Sequence, residues 1–126
     1  LKRFFCPSLL CKTNFNEDIS GWDTSKVTNM QQMFNGAKAF NKNIGSWKTT
    51  KVTDMHLMFS RASNFDQDIG GWDTSSVTNI GGMFYGATAF TQDLSTWSSC
   101  SLPGKIVPSD MFNSTYAATN KPRCTE

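Results

Sequence analysis

The sequence predicts a repeat solenoid. Each 25-residue coil would supply short parallel strands plus short helical or extended segments, and disulfide-stapled caps would close both ends. Three observations lead there. The stretch "FNEDISGWDTSKVTNMQQMFNGAKA", opening at Phe15, is followed without a gap by related copies opening at Phe40 and Phe65, and a fourth opens at Phe90 as "FTQDLSTW". The columns of the copies are apolar in register: Phe15, Phe40, Phe65 and Phe90; Ile19, Ile44, Ile69 and Leu94; Trp22, Trp47, Trp72 and Trp97. The four cysteines sit outside the copies, Cys6 and Cys11 before them and Cys100 and Cys124 after. The units are called coil 1 (15–39), coil 2 (40–64), coil 3 (65–89) and coil 4 (from 90). One such unit cannot bury a Trp, two Phe and two Met alone, whereas stacked units can pack each column on its own copies.

Within coil 1, Asp18 to Trp22 reads as a short strand with Ile19 inward and Asp18 and Ser20 outward. Asp23-Thr24-Ser25 reads as a turn and Val27 to Met30 as a second extended piece. Met30, Met33, Phe34 and Ala37 have the i, i+3, i+4, i+7 spacing of about two helical turns facing a core. Asn35-Gly36 would end that helix through a left-handed residue, and coil 2 carries Ser60-Arg61 there. Successive strands would pair in parallel, about 4.7–4.9 Å apart.

The expected organisation is an N-terminal cap at 1–14, a degenerate half-repeat; three full repeats and the start of a fourth at 15–97; and a degenerate C-terminal cap at 98–126. In the last, "DMFNSTYAAT" echoes the core pattern three residues later than the period demands, and Pro103, Pro108 and Pro122 interrupt regular pairing. Four cysteines allow three pairings; Cys6–Cys11 and Cys100–Cys124 are preferred because each would staple one end. A zinc site is the rival reading, against which stands the lack of paired C-x-x-C knuckles. Disulfides imply an oxidising compartment, extracellular or at the cell surface, with an organelle lumen as the alternative. Asn113-Ser114-Thr115 is a glycosylation sequon that agrees with secretion.

The 126 residues carry a net charge of +2 with scattered Lys and Arg, so no nucleic-acid footprint stands out. No stretch approaches the roughly 20 apolar residues of a membrane span. The opening "LKRFFCPSLL" is too short for a complete signal peptide.

The repeated phrase resembles the 25-residue repeats of mycoplasma-type surface proteins, domain of unknown function 285, grouped with the BspA-like leucine-rich repeats and also found in secreted proteins of microalgae. Phe15, Asp18, Ile19, Trp22, Asp23, Val27, Thr28, Asn29, Met30, Met33, Phe34, Gly36 and Ala37 fit its motif in order; Asn43, Lys48, Arg61 and Ile80 depart from it. The resemblance implies a leucine-rich-repeat-like solenoid, secreted or displayed on a surface, and supplies no function; the end cysteines and the "NKPRC" tail are closest in style to the algal members.

No catalytic residue and no cofactor is expected. The single histidine, His56, replaces Gln31 and Gly81 of its column, and neither a Gly-x-Ser-x-Gly elbow nor a phosphate loop occurs. The column Asp18, Asn43, Asp68, Asp93 has two readings: solvated turn formers, or calcium ligands interrupted by Asn43. The Asn16, Asn41, Asp66 and Asn29, Asp54, Asn79 columns read as turn-forming. The Thr columns at 24, 49, 74 and 28, 53, 78 suit exposed strand positions, or a ladder for ice or a crystalline polysaccharide spoiled by Lys26 and Lys51. The Trp and Met columns read as core. The expected role is a non-enzymatic scaffold that recognises a protein or glycan through the strand face around Asp18, Ser20, Asn43, Asp68 and Asp93. A purely structural subunit of a larger assembly is the alternative. What is specific to this chain should lie where the copies disagree, as at Glu17, Lys42 and Gln67, at Asp23 and Lys48, and at Gly36 and Arg61.

Overall fold

A computed structural model describes residues 13–97, Met111, Phe112 and Pro122. All four cysteines, the two preferred disulfides and Asn113 lie outside the described residues.

Each coil lies on the next, and identical columns touch. Phe15, Phe40, Phe65 and Phe90 stack with ring centroids 5.7, 5.9 and 5.9 Å apart. The Trp column stacks at 6.3, 6.4 and 6.2 Å. Phe34, Phe59 and Phe84 continue at 5.4 and 5.6 Å. Ile44, Val52, Met55, Met58 and Ala62 of coil 2 are fully buried in the same continuous core. The buried indole N–H of Trp47, Trp72 and Trp97 donates to the carbonyl of Ile19, Ile44 and Ile69 at 3.1, 3.0 and 3.0 Å. A buried Trp needs such a partner.

The expected strands and helices are not formed. Among the described residues only Thr13 and Asn14 are helical, there is no sheet, and inter-coil pairing reduces to two isolated parallel bridges, Asn29 with Asp54 and Asp54 with Asn79. The leucine-rich-repeat-like solenoid of short strands and helical segments is thereby corrected: the unit is a run of turns. Asp18 to Trp22 makes no ladder, and only the Val27–Met30 piece reaches a bridge.

The reason is visible at 30–37. Met33, Asn35 and Ala37 donate backward to the carbonyls of Met30, Gln32 and Phe34, as in tight turns. The alternate amides of Met30, Gln32, Phe34 and Gly36 instead donate to Asp54, His56, Met58 and Ser60 of coil 2 at 2.8–2.9 Å. Two residues turn the chain so that this alternation is possible: Gln32 at φ 57° and Gly36 at φ 75° lie in the left-handed region and end any helix. Coil 2 repeats the device at Leu57 (55°) and Arg61 (59°), and coil 3 at Gly82 (61°) and Gly86 (72°). A side chain in that region costs roughly 1–2 kcal/mol, so Gln32, Leu57 and Arg61 hold strain that glycine avoids in their columns.

The late echo near the C-terminus joins the stack. The Phe84 amide donates to the Met111 carbonyl at 2.8 Å, as Phe34 and Phe59 donate to Met58 and Met83, and Phe84 stacks on Phe112 at 5.4 Å and 4°. Met111 and Phe112 thus occupy the coil 4 places that the period assigns three residues earlier.

Candidate binding surface

The residues expected on a strand face lie instead in exposed turns. Asp18, Ser20, Asn43, Asp68 and Asp93 are all exposed. Each acid or amide of the column accepts the backbone N–H two residues on: Asp18 from Ser20 (3.0 Å), Asn43 from Gly45 (2.9 Å), Asp68 from Gly70 (2.9 Å) and Asp93 from Ser95 (2.8 Å). That is the turn role of Asp and Asn. It explains why Asn43 replaces Asp without loss, since Oδ1 serves equally in both. The Ser20 N–H, aided by the Ser20 hydroxyl and more distantly by Lys42, holds the Asp18 carboxyl below its ordinary pKa. Among the described residues no group of three His, Cys, Asp or Glu is placed to hold a metal ion.

The other polar columns are committed inward as well. Asn16, Asn41 and Asp66 accept the amides of Asn41, Asp66 and Thr91 one coil on, at 2.9–3.0 Å. Gln67 and Gln92 tie back to Asn41 and Asp66. Asn29, Asp54 and Asn79 accept from Gln31, His56 and Gly81. Asp23 and Asp73 accept both the hydroxyl (2.6 Å each) and the amide of Ser25 and Ser75, which lowers both carboxyls, the hydroxyl first. The two Thr columns do not share a face. Thr24, Thr49 and Thr74 are buried, with Thr24 and Thr49 donating to the Lys48 and Asp73 carbonyls. Thr53 and Thr78 are exposed but bond the carbonyls of Thr28 and Thr53.

His56 is half-buried over Gly81; its Nδ1 is buried and unpartnered. The structure brings no described hydroxyl or carboxylate into hydrogen bond with its ring.

The described residues also form a concave feature. An open groove of about 340 Å³ is lined by Asn35, Leu57, Ser60, Arg61, Gly82 and Tyr85. The column Asn35–Ser60–Tyr85 builds it together with Leu57 and Gly82 of a second column, and Arg61 of the glycine column joins them. These are positions where the copies disagree. The glycines of coil 3 admit the large side chains of coil 2: a Cβ at Gly82 would fall 2.6 Å from Leu57 Cδ2, and one at Gly86 would fall 3.2 Å from Arg61 Cγ. Sequence reasoning singled out Arg61 and missed Leu57, Ser60 and Tyr85. The signal was there in the column Asn35, Ser60, Tyr85, which changes chemistry at every step beside the invariant column Phe34, Phe59, Phe84.

No helix among the described residues is long and apolar enough to cross a membrane. No curated protein and no solved structure matches the chain. The family model described as "Mycoplasma protein of unknown function, DUF285" matches residues 5–123, which takes in all four units and the displaced Met111-Phe112 pair. The stacked 25-residue units therefore belong to a protein of the DUF285 family.

Proposed function

We propose that this chain is a non-enzymatic binding module, secreted or displayed on a surface, that recognises a protein or glycan through the side of its stack. The observation that carries this reading is the unequal use of polar groups. The repeated columns commit theirs to turn amides and inter-coil carbonyls, whereas five divergent positions, Asn35, Leu57, Ser60, Arg61 and Tyr85, meet at a groove where Arg61 and Tyr85 have no side-chain partner. Repeat stacks present surfaces of this kind. The test is a glycan array and a soluble-ectodomain protein array probed with the purified chain, together with its native mass. A monomer that binds a defined class supports the module. Silence on both arrays, with recovery from its source only in a fixed complex, favours the structural-subunit reading. That second reading draws on Phe15, Trp22, Val27 and Met33, which are only part-buried in coil 1 although their coil 2 and coil 3 column-mates are buried.

A further inference from the structure

We propose that the Leu57–Arg61–Tyr85 groove is a saccharide site for a sugar unit that bears a carboxylate, of the uronic-acid type. The inference rests on the binding-module reading and names its site and ligand class.

The groove has the parts that such a unit needs. Tyr85 is 53 % exposed and is the one exposed large hydrophobic among the described residues. Its ring offers an apolar face with a polar tip, suited to the C–H face of a pyranose. Its hydroxyl makes no hydrogen bond. Arg61 pairs with no carboxylate among the described residues, and no acidic side chain lines the groove. A guanidinium left open in this way matches a planar carboxylate through two parallel N–H donors. Ser60 also lines the groove, and its hydroxyl, engaged by no other residue, is open to a sugar hydroxyl. The Asn35 amide, likewise unbonded, adds a donor and an acceptor on the far side. The volume, about 340 Å³, is at the small end for ligand sites and fits one or two rings of a longer chain lying across an open groove.

The arrangement is also held in place. Leu57 and Arg61 stand at left-handed φ where their column-mates include glycine, and strained backbone of this kind collects at ligand sites. The Arg61 amide donates to the Tyr85 carbonyl at 2.6 Å, which fixes the cation and the aromatic relative to one another. Gly86 leaves room for the Arg61 stem.

The test is calorimetric titration of the full chain with trigalacturonate, with its neutral counterpart trigalactose, and with a tri-glutamate peptide. The variants are Arg61→Gly and Tyr85→Asn, each installing a residue that the same column already carries elsewhere, with Lys51→Ser, which installs the Ser76 of its own column at an exposed cation outside the groove, as a control. Trigalacturonate should bind, trigalactose at least about tenfold more weakly, and Arg61→Gly should cost a comparable factor. Tyr85→Asn should weaken both sugars, and Lys51→Ser neither. Equal trigalacturonate binding by wild type and both groove variants overturns the proposal, as does binding of the peptide with Arg61 dependence and of no sugar. Array binding that ignores Arg61 and Tyr85 removes this site while leaving the module reading intact. Silence on every array, with recovery only in a fixed complex, removes both.

Discussion

At Gln32 a long polar side chain is held at φ 57° on the surface, where the third copy has Gly82. Gln32→Gly relieves a left-handed cost of roughly 1–2 kcal/mol against about 0.5–1 kcal/mol of extra chain entropy. The net expectation is a gain of about 0.5–1 kcal/mol in urea unfolding. Gly36→Ala should lose about 1 kcal/mol through φ alone, because an added Cβ there meets nothing within 4 Å. Buried threonines split in the same assay. Thr49→Val removes a donor to the Asp73 carbonyl and should cost about 1–2 kcal/mol. Thr74 Oγ1 has no partner, so Thr74→Val should cost nothing measurable or stabilise. The carboxyls of Asp18, Asp23 and Asp73 are lowered by hydrogen bonds made in the folded chain. Their contribution is full above the ordinary aspartate value of about 3.9 and is lost as pH falls through the lower folded values. Melting temperature should therefore drop below about pH 4, and Asp18→Asn, which keeps the turn acceptor as Asn43 does, should shrink that drop. An unchanged pH profile in Asp18→Asn would sink the assignment. At this scale the sequence was legible for the Asn and Asp columns, since their turn chemistry is local. It was not legible for Thr24 and Thr49, buried where each bonds a carbonyl 24 residues away, nor for Thr74, buried with no partner.

The segment 30–37 shows why element reading failed where column reading worked. Met30, Met33, Phe34 and Ala37 do face the core, as helical spacing requires, but the backbone reverses hand at Gln32 and Gly36. The amides a helix would keep for itself at Gln32, Phe34 and Gly36 are then given to the next coil. Amphipathic spacing reports which side chains are buried; it does not report where the amides go. The glycines at 82 and 86 of coil 3 are the trace of this device, and Leu57 and Arg61 in their columns hide it. The groove was half-legible for the same reason: Arg61 stood out against two glycines, while nothing in the apolar columns singled out Leu57. Stacking energetics belong to this scale. Phe59 is fully buried between Phe34 and Phe84, so Phe59→Ala should lose about 3–5 kcal/mol in chemical unfolding.

Across the whole molecule, the stack tolerates a change in connection length if the landing residues are right. Met111 and Phe112 reach their places after a connection three residues too long and still make the Phe84 amide bond and ring stack. Phe112→Ala should accordingly destabilise the chain by about 3 kcal/mol, although it lies far from the last regular unit in sequence. Repeat stacks gain stability from neighbour interfaces, so inserting a second copy of 40–64 after residue 64 should give a folded chain with a higher melting temperature.

The alternating amides also give the stack a direction. Met30, Gln32, Phe34 and Gly36, and Met55, Leu57, Phe59 and Arg61, donate toward the following coil, whereas Thr53 and Thr78 donate back toward the preceding one. Only a successor arriving in the same orientation meets the pattern. Growth of this architecture is thus one-way, in steps of 25 residues, like thread added to the end of a screw.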